Sequence, residues 1–282
     1  MAAVCRCAWS AAQTSARSRS TSDRAKPAGR STRLGRTKTV LITGAEGVIG
    51  STLRRHLADR YRLRLLSRAP IDVPSHVADV SDFAALRPAF DGVDAVVHLA
   101  AVADVDAPWE EVLASNIVGT RNVFEAARQA GVAQVVFASS NHVVGMYEAE
   151  GAPAIYRAQP DKTLIDEHSD PRPDSLYGAS KGFGELLGRY YVERHGLRVI
   201  CLRIGWVWEK DETPTNHAQA EAIWLSQRDC AQLVSRALDA DDVRWAVVYG
   251  ISNNPRAFWS LDAARRILGY EPQDSPPLSD AV

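Results

Sequence analysis

TVLITGAEGVIG, residues 39–50, joins a short apolar run to a turn that carries three glycines. The run 40–42 is typical of a buried strand in a parallel sheet. The turn has the spacing G-x-x-G-x-x-G, and a helical pattern follows over residues 51–60. A strand, a glycine turn and a helix in this order form the context of a dinucleotide-binding site, although an ordinary strand–helix turn can also contain glycines. The stretch therefore predicts a nucleotide-binding α/β unit.

Each glycine of this turn has a predicted role. Gly44 permits the tight turn, Gly47 lets the backbone approach a pyrophosphate, and Gly50 lets the helix pack closely on the strand. The first helical residues offer free N–H groups at the positive end of the helix. We therefore expect the cofactor to contact Gly44, Gly47, Val48, Ile49 and Gly50.

Charge is unevenly distributed along the chain. The 282 residues carry a net charge of -1. Residues 1–38 hold nine Lys or Arg and one acid, which leaves 24 basic and 33 acidic residues in the remainder. An acidic body of this kind is a poor partner for nucleic acid, and the sequence has no run of eighteen apolar residues that would suggest a membrane span. We expect neither nucleic acid nor a membrane as a partner.

The N-terminal segment, residues 1–37, is predicted to lie outside the fold. It is rich in Arg, Ser and Ala, as an organellar transit peptide is. A disordered leader, or a start codon placed too far upstream, explains the same composition, because no clear amphipathic stripe runs through the segment.

The cysteines predict the compartment. The four cysteines are Cys5, Cys7, Cys201 and Cys230. Their spacing matches neither a disulfide framework nor a set of metal ligands. A reducing compartment is therefore expected. We predict a cytoplasmic protein with no metal site, or a protein of an organellar matrix if residues 1–37 are a transit peptide.

Strand and helix patterns alternate along residues 38–282, which we interpret as one domain. Such alternation predicts an α/β fold with a doubly wound parallel sheet of the Rossmann type. Strands are expected at residues 40–42, 62–67, 76–79, 95–99, 135–139, 197–204 and 245–249. Helices are expected at residues 51–60, 81–90, 108–130, 176–195, 226–238 and 257–268, with Ser81 as the N-cap of the second.

Residues 148–175 have no clear period and contain four prolines. We expect a loop over one face of the sheet, and a loop of this length is usually functional. The region from about 141 to 176, together with residues 205–282, is predicted to supply the substrate-binding elements.

The predicted helix 176–195 begins with a pair of residues that can carry chemistry. Tyr177 and Lys181 are four residues apart, so they share one helix face. A phenol has a pKa of roughly 10, and a nearby ammonium lowers that pKa. The pair can therefore act as a general base toward a hydroxyl proton. A surface Tyr and Lys often fall four apart by chance, so the pair alone leaves both interpretations open.

Further motifs make a family resemblance explicit. They occur in order along the chain: the glycine turn, residues 116–120 (NIVGT), residues 139–142 (SSNH) and Tyr177-x-x-x-Lys181. Together they resemble the extended short-chain dehydrogenase/reductase family, also called the NAD-dependent epimerase/dehydratase family, over about residues 38–270.

The resemblance implies a role for each residue. Ser140 would polarise the substrate oxygen. Tyr177 would be the general acid/base, and Lys181 would hold the nicotinamide ribose and tune Tyr177. Asn116 would support a proton relay, or it would pin a kink in its helix.

Within the family the chain resembles two groups of sugar dehydrogenases. Residues 137–142 and 172–178 look like the uronate dehydrogenases and at least as much like the archaeal NAD-dependent glucose-6-phosphate dehydrogenases. Both groups oxidise the C1 hydroxyl of a cyclic sugar to a lactone. The resemblance therefore implies that Asn141 and His142 touch a sugar.

Two positions depart from the uronate dehydrogenases. By resemblance, those enzymes carry an arginine that grips the sugar carboxylate where this chain has Gln219, and a serine where it has Ala103. The loss of a bidentate cation and a hydroxyl argues against a uronate substrate. Gln219 stays a predicted substrate contact.

The adenosine end of the cofactor is predicted at the tips of the second and third strands. NAD enzymes of this fold place an acid at the tip of the second strand, but this chain has Ser67 and Arg68 there. These two can bind a 2′-phosphate, although Arg68 can equally be a solvated flanking residue. We predict use of NAD or NADP with a preference for NADP. Further cofactor contacts are expected at Asp79, Val80, Leu99, Ala100, Ala101 and Ile204.

The sequence as a whole predicts an NAD(P)-dependent oxidoreductase that moves a hydride between the cofactor and C1 of a small sugar, which can be a hexose, a hexose phosphate or a uronate. A nucleotide-sugar epimerase or dehydratase is one alternative, but such relatives have a large C-terminal substrate domain, and only 78 residues follow Ile204. A non-catalytic NAD(P)-sensing protein is the other, and such sensors typically lose the Tyr–Lys pair. Assembly into a homo-oligomer stays open.

Overall fold

A seven-stranded parallel sheet is the frame of the fold in the described part of the chain. A computed structural model describes residues 36–157, 164–278 and 280, and the fold is that of the unit Thr37–Val282. The strands are β1 Thr39–Thr43, β2 Arg62–Ser67, β3 His76–Val77, β4 Ala95–His98, β5 Gln134–Ser140, β6 Arg198–Ile204 and β7 Trp245–Gly250. They lie in the order β3-β2-β1-β4-β5-β6-β7.

Helices connect the strands and cover both faces of the sheet. Their bounds are α1 Val48–Leu57, α2 Phe83–Leu86, α3 Trp109–Glu111, α4 Gly119–Gln129, α5 Gly145–Gly151, α6 Leu176–His195, α7 Ala218–Ile223, α8 Gln227–Asp239 and α9 Asp262–Leu268. Successive side chains of a strand point to opposite faces. Val40 and Ile42 therefore join the apolar cluster that contains α1 and α8 residues, whereas Leu41 joins the cluster that contains α4 and α6 residues.

The strand order reverses between β1 and β4, which are hydrogen-bonded neighbours. The chain proceeds outward from β1 to β3 on one side and from β4 to β7 on the other. The carboxyl ends of β1 and β4 therefore open a crevice at the point where an α/β sheet of this type binds its ligand.

The doubly wound parallel sheet is confirmed, and each predicted strand is present within two residues of its expected bounds. The helix predicted at residues 176–195 has those bounds as α6. Its N-cap is Ser175, whose hydroxyl accepts a hydrogen bond from the Gly178 amide.

The prediction of one continuous helix over residues 108–130 is wrong. α3 gives way to a π-helical segment, Val112–Val118, before α4 begins. Within that segment the Asn116 side chain bonds both the N–H and the carbonyl of Val102, at 2.8 and 3.0 Å. A side chain committed to a neighbouring loop stabilises the wider turn, and π-turns are often found at functional sites.

Other local predictions also need correction. The N-cap of α2 is Asp82 rather than Ser81, because the Asp82 carboxylate accepts the Ala85 amide at 3.0 Å. α2 then tightens into a 3-10 helix, Arg87–Phe90, in which Pro88 has no N–H to donate.

The expected loop at residues 148–175 is partly helical, one helix was not predicted, and two helices differ from their expected bounds. α5 and a 3-10 turn, Ala154–Tyr156, occupy the first part of this loop. α1 covers Val48–Leu57 rather than residues 51–60. α7 was not predicted, and α9 begins at Asp262 rather than at residue 257. The predicted leader, residues 1–37, lies outside the described residues except for its last two. Among the residues described, no helix is long and apolar enough to cross a membrane.

Candidate active site

The glycine turn has the geometry that its spacing predicts. Gly44 has a φ of +71°, and a Cβ on it would lie 2.7 Å from the Ala100 nitrogen. A Cβ on Gly50 would lie 2.4 Å from the Gly44 carbonyl oxygen, so this glycine lets α1 approach the turn. At Gly47 the nearest atom to such a Cβ is 3.5 Å away, an ordinary contact distance. The surface beside Gly47 therefore has room for a phosphate group.

The N-terminus of α1 supports the same interpretation. Its N-cap is Gly47, and no side chain among the described residues caps it. Uncapped amides at the positive end of a helix are suited to a pyrophosphate. The cradle and the free amides thus fit a dinucleotide.

A cleft runs along the carboxyl edge of the sheet from this turn in two directions. One cavity of about 370 Å³ lies toward β2 and contains the predicted contacts Arg68, Asp79, Val80, Leu99, Ala100 and Ala101. A second cavity of about 410 Å³ lies toward β5 and contains Val48, Ile49, Gly50, Leu99, Ala101 and Ile204. The two cavities share Gly44, Gly47, Leu99 and Ala101.

Ser67 does not face the first cavity. Its side chain is fully buried, and its hydroxyl lies 2.9 Å from the Ser75 hydroxyl. The prediction that Ser67 contacts a 2′-phosphate therefore finds no support in its placement. Glu46, which was not predicted, lines this cavity instead. Its Oε1 accepts a 3.0 Å hydrogen bond from the Arg68 backbone N–H.

Asp79 lies on the same wall as a carboxylate. The hydrogen bond that its Oδ1 accepts from the Ser81 N–H, 2.8 Å long, lowers the pKa of Asp79, and the charge of Arg68 lowers it further. The end of the cleft predicted to hold the adenosine therefore presents carboxylates as well as a cation.

The second cavity brings together the residues predicted to carry the chemistry. Ser140 at the end of β5 lines it with Tyr177 and Lys181 of α6. The Lys181 ammonium donates a 2.8 Å hydrogen bond to the Ala138 carbonyl and lies 5.6 Å from the centre of the Tyr177 ring. The helical spacing of four residues therefore places the two side chains as expected.

Burial dominates the electrostatics of this pair. It lowers the pKa of Lys181 from 10.5 to about 7, because a low-dielectric environment disfavours the ammonium. Burial also raises the pKa of Tyr177, and a hydrogen bond with Ser140 lowers it. The prediction that Tyr177 has a depressed pKa is therefore wrong for the free protein.

Asn116 lies behind the cavity rather than on its wall. Its amide nitrogen donates to the Ser180 hydroxyl at 3.0 Å, and its other bonds go to Val102. These contacts link the π-helical segment to α6, in agreement with the predicted kink. They do not place Asn116 beside the phenol of Tyr177.

Asn141 and His142 line the cavity from the 3-10 turn that follows β5. The His142 Nδ1 lies 2.7 Å from Asp174 Oδ2, and its ring is 5.7 Å from the Tyr177 ring, edge to face. Gly145 makes the first contact possible, since a Cβ there would lie 1.9 Å from Asp174 Oδ2. No local pattern in the sequence predicts the contact between His142 and Asp174, which are 32 positions apart.

Gln219 is occupied by a partner within the protein. Its amide nitrogen donates to Glu148 Oε1 at 2.7 Å, and the Tyr156 hydroxyl donates to the same oxygen at 2.7 Å. Ala103 lines the cavity, as does Trp206, which was not predicted. Trp206 presents an exposed indole at this end of the cleft.

A buried ion pair supports the floor of the site. Arg203 of β6 makes two 2.9 Å hydrogen bonds to the carboxylate of Glu185 on α6. The Ser139 hydroxyl donates to the same carboxylate at 2.6 Å. Because Ser139 precedes Ser140, this network fixes the end of β5.

A glycine cradle and a buried Tyr–Lys pair in one cleft define a dinucleotide-dependent oxidoreductase of the doubly wound α/β class. The chain belongs to the NAD dependent epimerase/dehydratase family, which it matches over residues 40–223.

Similar proteins carry related activities in their names. An NAD-dependent glucose-6-phosphate dehydrogenase from Haloferax volcanii is 44% identical over 247 residues, or 84% of this chain and 93% of that protein. An L-arabinose 1-dehydrogenase (NAD(P)(+)) from the same organism is 41% identical over 246 residues, or 84% and 96%. A mutant uronate dehydrogenase from Agrobacterium tumefaciens complexed with NAD gives a TM-score of 0.72 at 31% identity, covering 85% of this chain and 86% of that one. The predicted family and the predicted enzyme class, an NAD(P)-dependent oxidoreductase, are confirmed.

Proposed function

We propose that this protein oxidises the C1 hydroxyl of a small cyclic sugar to a lactone with NAD or NADP. The observation that carries the proposal is the placement of Ser140, Tyr177 and Lys181 in one cavity that continues into the glycine cradle. The names of the similar dehydrogenases support the sugar as substrate.

The oxidation removes a hydride and a proton from the sugar, and the cofactor and the protein each take one of them. A nicotinamide held between the glycine turn and Lys181 would supply the acceptor for the hydride of C1. Tyr177 takes the proton of the C1 hydroxyl through its phenolic oxygen, and Ser140 hydrogen-bonds the same substrate oxygen. Loss of the hydride and the proton leaves the C1 carbonyl of the lactone.

Lys181 makes the proton transfer possible. Tyr177 is buried and resists ionisation, so its phenolate needs a positive charge nearby. The ammonium of Lys181 lies 5.6 Å from the Tyr177 ring centre and supplies that charge. This role requires the protonated form of Lys181, whose pKa is about 7 in the free protein. We therefore expect activity to fall when Lys181 loses its proton.

The wall of the cavity favours an uncharged sugar. Among the described residues that line it, the cations are Lys181 and, when protonated, His142. Lys181 bonds the Ala138 carbonyl and His142 bonds Asp174. Gln219, where the uronate dehydrogenases carry an arginine by resemblance, bonds Glu148 and is not among the described residues that line this cavity, so no guanidinium at that position meets an acidic group on the sugar. Trp206 offers an aromatic face to the apolar side of a sugar ring.

A spectrophotometric panel tests this proposal. Absorbance of the reduced nicotinamide is followed with both cofactors against uncharged aldoses, among them L-arabinose, and against uronates, hexose phosphates and nucleotide sugars. We expect the highest kcat/KM with an uncharged aldose, by at least ~10-fold, which corresponds to about 1.4 kcal/mol. A best substrate among the uronates, hexose phosphates or nucleotide sugars would contradict the preference for an uncharged sugar. Tight cofactor binding without turnover of any sugar would favour the sensor alternative.

We also propose a reducing, cytoplasmic location. Cys201 and Cys230, the cysteines in the described part of the chain, are both buried free thiols. Burial raises the pKa of Cys230 to about 12, so the thiol stays protonated and unreactive. A homo-oligomer stays a prediction.

A further inference from the structure

We propose that Glu46 reads the 2′ position of the adenosine ribose and selects NAD over NADP. The inference rests on the dinucleotide site alone and does not depend on which sugar is oxidised. It reverses the preference for NADP that Ser67 and Arg68 predict from the sequence.

The first step is the position of the Glu46 carboxylate. Glu46 belongs to the turn after β1, and the Ala45 N–H donates to the Leu66 carbonyl at 3.2 Å, which ties this turn to the end of β2. The Arg68 N–H, just beyond β2, holds Glu46 Oε1 at 3.0 Å. The turn therefore places a carboxylate at the tip of β2, where NAD enzymes of this fold usually carry an acid on the strand itself.

The second step is the capacity of the Glu46 carboxylate to accept a further hydrogen bond. In the part of the chain that the structure describes, Oε1 has the Arg68 amide as donor, and no hydrogen bond reaches Oε2. Glu46 is exposed and lines the cavity at the adenosine end. An ionised carboxylate oxygen that faces a binding cavity can accept a hydrogen bond from a ribose hydroxyl.

The third step is charge. Glu46, Asp79 and Glu111 all line this cavity, against Arg68 as the cation among its described lining residues. The charge of Arg68 acts on Asp79, so part of it is already balanced. A 2′-phosphate brings about two further negative charges, and like charges at close range cost binding energy.

The fourth step removes the competing explanation. Ser67 and Arg68 suggest a phosphate site by their residue types. The Ser67 side chain is fully buried and its hydroxyl lies 2.9 Å from the Ser75 hydroxyl, so it does not reach the cavity. Arg68 is then the cation that remains for the phosphate, in a cavity whose described lining holds more carboxylates than cations. Its backbone N–H already donates to Glu46.

Calorimetry on the full chain without substrate tests the proposal. The probes are 5′-AMP and adenosine 2′,5′-bisphosphate, followed by NAD and NADP. We expect wild type to bind each probe that lacks the 2′-phosphate at least ~10-fold more tightly than its 2′-phosphorylated counterpart, about 1.4 kcal/mol. Glu46→Gln keeps an acceptor for the Arg68 amide and removes the charge, and it should lower this ratio by at least ~10-fold.

Glu110→Gln is the matched control, because it removes an exposed carboxylate from α3 that does not line this cavity. It should leave the ratio within about twofold, less than 0.5 kcal/mol. Wild-type preference for the 2′-phosphorylated probes would overturn the proposal. So would an unchanged ratio in Glu46→Gln, and selective loss of NADP binding in Arg68→Ala would then assign the 2′ position to Arg68. Failure of the sugar panel leaves these binding results untouched.

Discussion

Gly178 lies so close to the carbonyl oxygen of His142 that a Cβ on Gly178 would be 2.3 Å from that oxygen. This contact packs the first turn of α6 against the 3-10 turn after β5. It also sets the 5.7 Å separation of the His142 and Tyr177 rings. The absence of a side chain at residue 178 therefore holds two walls of the site at their working distance.

Gly178→Ala should separate these walls. The methyl group meets backbone, which cannot rotate away, so we expect a loss of about 1–3 kcal/mol in unfolding free energy and a clear fall in kcat. Gly182→Ala on the same helix is the control, because its nearest neighbour would be Val143 Cγ1 at 3.8 Å. That change should stabilise the helix by up to about 1 kcal/mol. Thermal melts and steady-state kinetics measure both, and equal behaviour of the two variants would refute the argument.

Tyr177→Phe should retain cofactor binding and lose at least ~100-fold in kcat, the scale of general acid–base catalysis. Tyr190→Phe removes a hydroxyl from a half-exposed side chain on the same helix and should leave kcat unchanged. Cofactor titration shows that the site is intact, and steady-state rates on the best sugar give the loss. Turnover close to wild type in Tyr177→Phe would remove this residue from its proposed role.

Lys181 should make the stability of the free enzyme depend on pH. Its pKa is about 7 in the folded state against 10.5 as the ordinary value, so between these values the unfolded state binds more protons. Stability therefore rises with pH across this window. Relative to Lys181→Met, the wild type should gain roughly 2–3 kcal/mol between pH 7 and pH 9. Urea unfolding of both proteins at each pH measures it, and a difference that is constant with pH would contradict the assignment.

Glu185→Gln should destabilise the protein strongly. It leaves the buried Arg203 guanidinium without a charged partner, at a cost of about 3 kcal/mol. Glu193→Gln breaks an exposed ion pair with Arg189 on the same helix and should cost less than about 1 kcal/mol. Denaturant unfolding compares the two. A small effect at Glu185 would show that the network with Ser139 contributes little.

The parts of the site that could be predicted from sequence are those fixed by local geometry. Gly44, Gly47 and Gly50 act within one turn, so their spacing alone determines their roles. Tyr177 and Lys181 are one helical turn apart, which places both on the same face. The buried strands can be predicted from their apolar runs, because such a run is visible in the sequence without knowledge of the neighbouring strands.

The parts that could not be predicted depend on contacts between distant segments. Arg68 meets Glu46 across 22 positions, and Gln219 meets Glu148 across 71. The face of the sheet to which the Ser67 side chain points depends on its position along β2, because successive side chains of a strand alternate between the two faces. The depressed pKa of Lys181 follows from burial that only the packed fold creates.

The division of the sheet between β1 and β4 has a consequence for how this enzyme can change. Glu46, Arg68 and Asp79 all precede β4 in the chain, whereas Ser140, Tyr177 and Lys181 all follow it. The residues proposed to choose the electron carrier and those proposed to carry the proton transfer therefore lie in consecutive stretches of the chain. A chimaera joined before β4 with a relative of the same topology is expected to replace Glu46, Arg68 and Asp79 together and to keep Ser140, Tyr177 and Lys181.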